Sequence, residues 1–149
     1  MPVIAGAAVC VLALAIQSPR ADHHYPVRYV VDGDTLDVAG VGRVRLLGVD
    51  APELGRGFDT AAPLAREARV RLASLVTGRF VRLELEGGRG DGHGRVLAYV
   101  IRDDGLFVNA ELLRAGLARI SARFHLRRLD ELRQAEGEAR CARRGMWRE

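Results

Sequence analysis

Arg43-Val44-Arg45-Leu46-Leu47-Gly48-Val49-Asp50-Ala51-Pro52-Glu53 reads as a strand, Arg43 to Val49, that runs out into a short loop carrying two carboxylates. Ala39-Gly40-Val41-Gly42 turns the chain into it, because glycine-rich tetrapeptides are where a chain reverses. Upstream, Val27 to Val31 and Thr35 to Val38 flank a tight turn at Asp32-Gly33. The three runs together predict an antiparallel meander.

Downstream the period changes from two to 3.6. Pro63 suits the first turn of a helix on which Leu64, Ala68, Leu72, Leu75 and Val76 share a stripe, and Gly78 stops it. Phe80 to Glu86 alternates, with Val81, Leu83 and Leu85 on one face and Arg82, Glu84 and Glu86 on the other. The glycine-rich stretch Gly87 to Gly94 is expected to be a hairpin loop leading into a strand over Val96 to Ile101. Asn109 is expected to cap a short helix reaching Leu117, and Leu129, Leu132, Ala135, Ala139 and Ala142 form the stripe of a longer one. The order β-β-β-α-β-β-α-α predicts an α+β fold: a five-stranded OB-type β-barrel of Greek-key connection with three α-helices.

Three segments carry chemistry: Asp32-Gly33-Asp34-Thr35, Arg45 through Glu53, and Asp91-Gly92-His93-Gly94-Arg95. Asp-Gly-Asp alone is an ordinary turn, and one arginine in a strand is ordinary too. In this order they offer what phosphate chemistry needs: carboxylates for a hard cation, a carboxylate to act on water, and two guanidinium forks. On the expected barrel Asp34 opens the second strand, Arg45 lies in the third, Asp50 to Glu53 follow its end, and Arg95 begins the strand after the glycine-rich hairpin. All share one mouth.

Together the three segments resemble the staphylococcal nuclease-like (thermonuclease) family, from about Val27 to Trp147 and including the closing Gly145-Met146-Trp147. The resemblance implies a single nuclease domain over 22–149. It implies Ca²⁺ held by Asp34, Asp50 and the backbone carbonyl of Ala51, a position where the family often has Thr. It makes Arg45, Glu53 and Arg95 the catalytic residues, and it implies cleavage of DNA and RNA, with single strands preferred and 3′-phosphate products. His93 falls where the family has a tyrosine near a substrate phosphate. Phe124 matches one of two tyrosines that stack on a base, and Ala122 replaces the other. Three protein ligands leave places for water and a phosphate oxygen among the six to eight that Ca²⁺ takes, and imply a Kd on the order of 10⁻⁴–10⁻³ M. Glu53 is expected to hold the attacking water, while Arg45 and Arg95 fork the equatorial oxygens of the transition state.

The remaining signals are quieter. The chain has 149 residues, one domain's length, and all 23 of its basic residues are arginine, which points to composition bias. Asp22 to Ala118 carries 13 Arg against 14 acids, a net of −1, whereas Arg119 to Glu149 carries 9 Arg against 5, a net of +4. That basic end suits a polyanion or forms a solvated helix face. His23, His24, His93 and His125 have no zinc-ligand spacing. Asp32 is expected to order its turn beside the metal, Trp147 to dock the C-terminus, and Cys141 to be a buried small apolar residue. The apolar run Val3 to Ile16 predicts that 1–21 is a signal peptide or N-terminal anchor, and so export or membrane anchoring. No protein partner is implied, and a monomer is expected. The alternative function, a non-catalytic OB-fold nucleic-acid-binding module, would keep the barrel and the basic end. It would have no use for Asp34, Asp50 and Glu53 together with two arginines.

Overall fold

The structure, a computed structural model, describes residues 23–55, 60–88, 90–121 and 125–148. The N-terminal apolar run, Ala122 and Phe124 therefore lie outside the described residues. Strands β1 (Tyr25–Val30), β2 (Thr35–Val38) and β3 (Gly42–Leu46) form the meander. The chain continues through β4 (Val49–Asp50), α1 (Ala65–Val76), β5 (Phe80–Leu85), β6 (Val96–Arg102), α2 (Val108–Arg114), β7 (Arg119–Ile120) and α3 (Leu129–Cys141), and a 3₁₀ turn at Gly145–Trp147 follows. Five strands close a barrel in the order β1-β2-β3-β6-β5, so the predicted α+β barrel with three helices is what forms.

Closure depends on one parallel pairing, β3 with β6, in which Arg45 lies beside Leu97; the other barrel pairs are antiparallel. Leu36, Val38, Val44, Leu46, Val81 and Val100 fill the interior, and Tyr99, Leu72, Leu112, Leu113 and Leu132 extend the core outside the barrel. Among the described residues no helix is long and apolar enough to cross a membrane.

The expected Arg43–Val49 strand divides. It leaves the barrel after Leu46, turns at Leu47-Gly48, and resumes as β4 in a second, two-stranded sheet with β7, where Asp50 stands opposite Arg119. Gly48 explains the break: its φ is +77°, and a Cβ there would come within 2.6 Å of Leu132 Cδ1 and 2.8 Å of Leu126 Cδ1. The turn must lie flat under α3, and only glycine has both the conformation and the room.

Several local expectations are corrected. Asn109 does not cap α2; it is fully buried, one residue inside the helix. Its Oδ1 accepts the Val100 N–H at 2.9 Å, and its Nδ2 donates to the carbonyls of Leu47 at 2.9 Å and Ala98 at 3.3 Å. The helix stops at Arg114 instead of Leu117, because Gly116 takes a φ of +69°. Pro63 precedes α1, which starts at Ala65 after Leu64 turns through φ 67°. Ala142, although in register with the Leu132–Ala135–Ala139 stripe, lies past the end of α3, and Cys141 is exposed because it falls on the opposite side of the helix.

Candidate active site

The site begins with the turn between β1 and β2. The Val31 and Asp32 N–H groups both donate to the Thr35 carbonyl, and Asp32 Oδ1 accepts the Asp34 N–H at 3.1 Å. Asp32 thus orders the turn, as expected of it. Burial, and next the negative charge of Asp34, push the Asp32 carboxyl above its ordinary range. Gly33 packs so closely that a Cβ would sit 2.7 Å from both Ala51 Cβ and Ala68 Cβ. That approach clamps the turn between the acidic loop and α1.

Asp34 is buried at the centre. Its Oδ1 accepts from the Thr35 hydroxyl at 3.1 Å and stands 2.5 Å from Arg45 Nη1, while its Oδ2 accepts the Ala51 N–H at 2.9 Å. The β2–β3 register explains this, since Arg45 lies directly across from Thr35. Arg45 Nη2 donates to Asp50 Oδ1 at 2.9 Å, so one guanidinium joins both carboxylates. Burial alone would lower the Arg45 proton affinity, but the Asp34 and Asp50 charges outweigh it and hold it above the usual value.

A cleft of about 380 Å³ opens on this corner, lined by Val31, Asp32, Asp34, Thr35, Arg43, Glu53, His93 and Arg95. Glu53 is exposed and its carboxylate has no hydrogen-bond partner among the described residues, whereas its backbone carbonyl accepts from Ala62 N at 2.9 Å. Arg95 is held differently: its Nε donates to Asp91 Oδ2 at 2.7 Å and its Nη2 lies 2.6 Å from the same oxygen. Asp91 Oδ1 meanwhile accepts the N–H groups of His93 and Arg95. Burial would raise the Asp91 carboxyl, but those N–H groups and the guanidinium prevail and hold it below the ordinary range. His93 is exposed at the cleft rim.

The structure therefore brings Asp34, Arg45, Asp50 and Ala51 into one bonded cluster and puts Glu53, Arg95 and His93 around the adjoining cleft. Phe124 lies outside the described residues. Two residues were not singled out from sequence. Asp91 orients Arg95, and its signal was there in the Asp-x-x-x-Arg spacing of a glycine-rich turn. Arg43 lines the cleft without an ion-pair partner among the described residues; only its register, two residues before Arg45 on the same face of β3, would have revealed it.

Asp34 and Asp50 share a single guanidinium, and Asp32 lies beside Asp34 in the same turn; two carboxylates on one cation leave negative charge and an all-oxygen donor set, the chemistry a hard divalent cation takes. Among the described residues no three His, Cys, Asp or Glu side chains are arranged to hold an ion by themselves. Such an ion would have to draw on backbone oxygen, water and substrate as well.

The basic end is not one surface. Arg127 and Arg128 face Glu84 at 3.4 Å, and Arg128 also bonds Glu131 and lies 4.1 Å over the Phe107 ring. Arg119 and Arg140 instead flank Trp147, at 5.5 and 4.1 Å from its ring, and so dock the C-terminus.

Known proteins resemble this chain over most of its length. Residues 43–149 match the staphylococcal nuclease homologue family. The chain is 35% identical over 123 residues to the SPbeta prophage-derived endonuclease YokF of Bacillus subtilis (strain 168), covering 78% of this chain and 41% of that protein. It is 40% identical over 98 residues to the thermonuclease of Staphylococcus intermedius, covering 64% of this chain and 58% of the relative. To the thermonuclease of Staphylococcus hyicus it is 33% identical over 129 residues, with 83% and 75% covered. The chain thus spans about two fifths to three quarters of the length of these relatives. With its closed five-stranded barrel and its match across residues 43–149, the chain belongs to the staphylococcal nuclease homologue family.

Proposed function

We propose that this chain is a Ca²⁺-dependent phosphodiesterase that hydrolyses DNA and RNA, single strands in preference, and leaves 3′-phosphate products. The observation that carries the reading is Arg45 bridging Asp34 at 2.5 Å and Asp50 at 2.9 Å beside a cleft lined by Glu53 and Arg95. Names of the relatives, endonuclease and thermonuclease, support it. The ion and the product polarity rest on the family resemblance. Export through the apolar segment Val3 to Ile16, and action as a monomer, belong to the same proposal.

Asp34, Asp50 and the Ala51 carbonyl would hold the cation. Bound there, it would supply Lewis acidity and charge neutralisation at a phosphoryl oxygen. Glu53, exposed and without a side-chain partner among the described residues, would hold a water and accept its proton as it attacks phosphorus. Arg45 and Arg95 donate planar pairs of N–H bonds to the equatorial oxygens, where charge grows as the pentacoordinate transition state forms. As the new P–O bond forms, the bond from phosphorus to the 5′-oxygen breaks, and that oxygen takes its proton from solvent, because a guanidinium is too weak an acid to supply it. The restraint of Arg95 by Asp91 fixes the fork before substrate arrives, which lowers the ordering cost at the moment of reaction.

The test is hydrolysis of single-stranded DNA and RNA by the purified chain with millimolar Ca²⁺ and with chelator. Glu53→Gln and Arg95→Ala are each expected to lower kcat by roughly 10²-fold with little change in melting temperature. Undiminished activity in chelator, or tight polynucleotide binding with no hydrolysis at all, would overturn the reading; the second outcome would favour the non-catalytic binding module.

A further inference from the structure

A second cleft, of about 500 Å³, lies between β1 and α1, with Arg28, Tyr29, Leu54, Arg66, Arg69 and Val70 among its lining residues. No acidic side chain lines it among the described residues. Two of its apolar members are unusually open to solvent for their size: Tyr29 is 54% exposed and Val70 68%. Large apolar side chains left open beside a cluster of guanidinium groups make a surface with both an aromatic face and a positive field.

The backbone explains how this arises. In a regular strand Arg28 and Tyr29 would point to opposite faces, and one of them would enter the barrel. The β1–β2 pairing shifts register between Val27 and Tyr29, a bulge in β1, and both residues end up exposed while Val30 returns to the core. Bulges re-aim side chains in this way, often next to reactive sites. Arg28 is anchored by its Nε on Asp37 Oδ1 at 2.5 Å, and Arg69 Nη2 reaches the Val30 carbonyl at 3.4 Å. Arg66 has no partner among the described residues.

This cleft also adjoins the reacting one. Val30 and Leu54 line it, and the residues next to them in the chain, Val31 and Glu53, line the other. Consecutive Cα atoms are about 3.8 Å apart, so the two clefts are neighbours within one nucleotide's reach.

We propose that the β1–α1 cleft binds an unpaired nucleotide of the polynucleotide strand whose phosphate occupies the reacting cleft, its base stacked on Tyr29 and its backbone held by Arg66 and Arg69. This rests on the proposed function and adds a specificity element to it. Stacking on one ring is sequence-tolerant and is open only to a base that is out of a duplex, which selects single strands.

The test uses the full chain with Glu53→Gln to prevent turnover, and measures binding of inorganic phosphate, of single-stranded DNA of eight nucleotides and of an eight-base-pair duplex. Tyr29→Ala is expected to weaken the single-stranded octamer about 10-fold or more, within the range of one lost stack, and to change inorganic phosphate and the duplex less than about twofold. Tyr29→Phe should restore octamer binding. Arg66→Ala should weaken the octamer and reduce the slope of log K against log salt by about 0.7, one phosphate contact on a single strand. Octamer binding unchanged in Tyr29→Ala, or lost equally from inorganic phosphate and duplex, overturns the inference while leaving the nuclease reading intact. If the parent chain with Glu53 cleaves no nucleic acid under any ion, the proposed function falls on its own and this inference with it.

Discussion

Asp34 Oδ2 accepts the backbone N–H of Ala51 at 2.9 Å, across 17 residues of chain. That one bond sets the loop bearing Asp50 and Glu53 against the turn that bears Asp34. It leaves Asp34 Oδ1 facing Arg45, whose side chain is only 19% exposed. The guanidinium therefore neutralises a carboxylate that is itself buried.

Removing the guanidinium should expose that dependence. Arg45→Ala is expected to cost about 3 kcal/mol, the scale for stranding one member of a buried pair, as read by urea denaturation in chelator. If a cation binds between Asp34 and Asp50, added Ca²⁺ should raise the melting temperature of Arg45→Ala more than that of the parent. Equal shifts would remove the ion from this corner.

Asn109 holds Leu47, Ala98 and Val100 together from inside α2, and so fixes the turn between Arg45 and Asp50. Asn109→Ala leaves buried backbone groups unpaired, with an expected loss of about 2–4 kcal/mol from several unmade bonds. Asn109→Asp should fare no better, because the carboxylate cannot donate to the Leu47 carbonyl. Melting curves of both variants decide it.

Asp91→Asn separates position from charge at Arg95. The fork keeps its guanidinium but loses the carboxylate at 2.6–2.7 Å that aims it. Turnover is expected to fall roughly 10-fold with KM less affected, since the restraint acts on the transition state. A pure KM effect in steady-state kinetics would mean that Asp91 shapes only the loop.

Tyr99 gives a pH dependence. Its ring is fully buried and its hydroxyl donates to Glu86 Oε2 at 2.5 Å; burial first, and then that bond, push its pKa from 10.0 to about 12. The folded pKa is raised above the unfolded one, so this contribution to stability is complete below about pH 10 and is lost as pH rises through about 12. Tyr99→Phe should lower stability by about 1 kcal/mol at neutral pH and show a smaller decline between pH 10 and 12. Chemical denaturation across that range measures both.

Much of this molecule was legible before any coordinates. The 2-residue alternation of Phe80–Leu85 and the glycines around the first turns led to the strands, the 3.6-residue stripe of Leu72, Leu75 and Val76 led to α1, and three short motifs pointed to the charged cluster, because period and turn chemistry are local properties of a chain. Four features had to wait for the packed fold. Gly48 looked like an ordinary strand residue until Leu132 of α3, and Leu126 just ahead of that helix, were found pressing on it. Asn109 looked like a cap because its three partners lie up to 62 residues away. Cys141 seemed apolar and buried, whereas the helix stripe turns it outward. Arg28 and Tyr29 face one cleft only because a bulge, invisible in a lone strand, appears when β1 pairs with β2. Local sequence carries propensity and pattern; which groups meet across the barrel is decided by closure, where every strand must satisfy two neighbours at once.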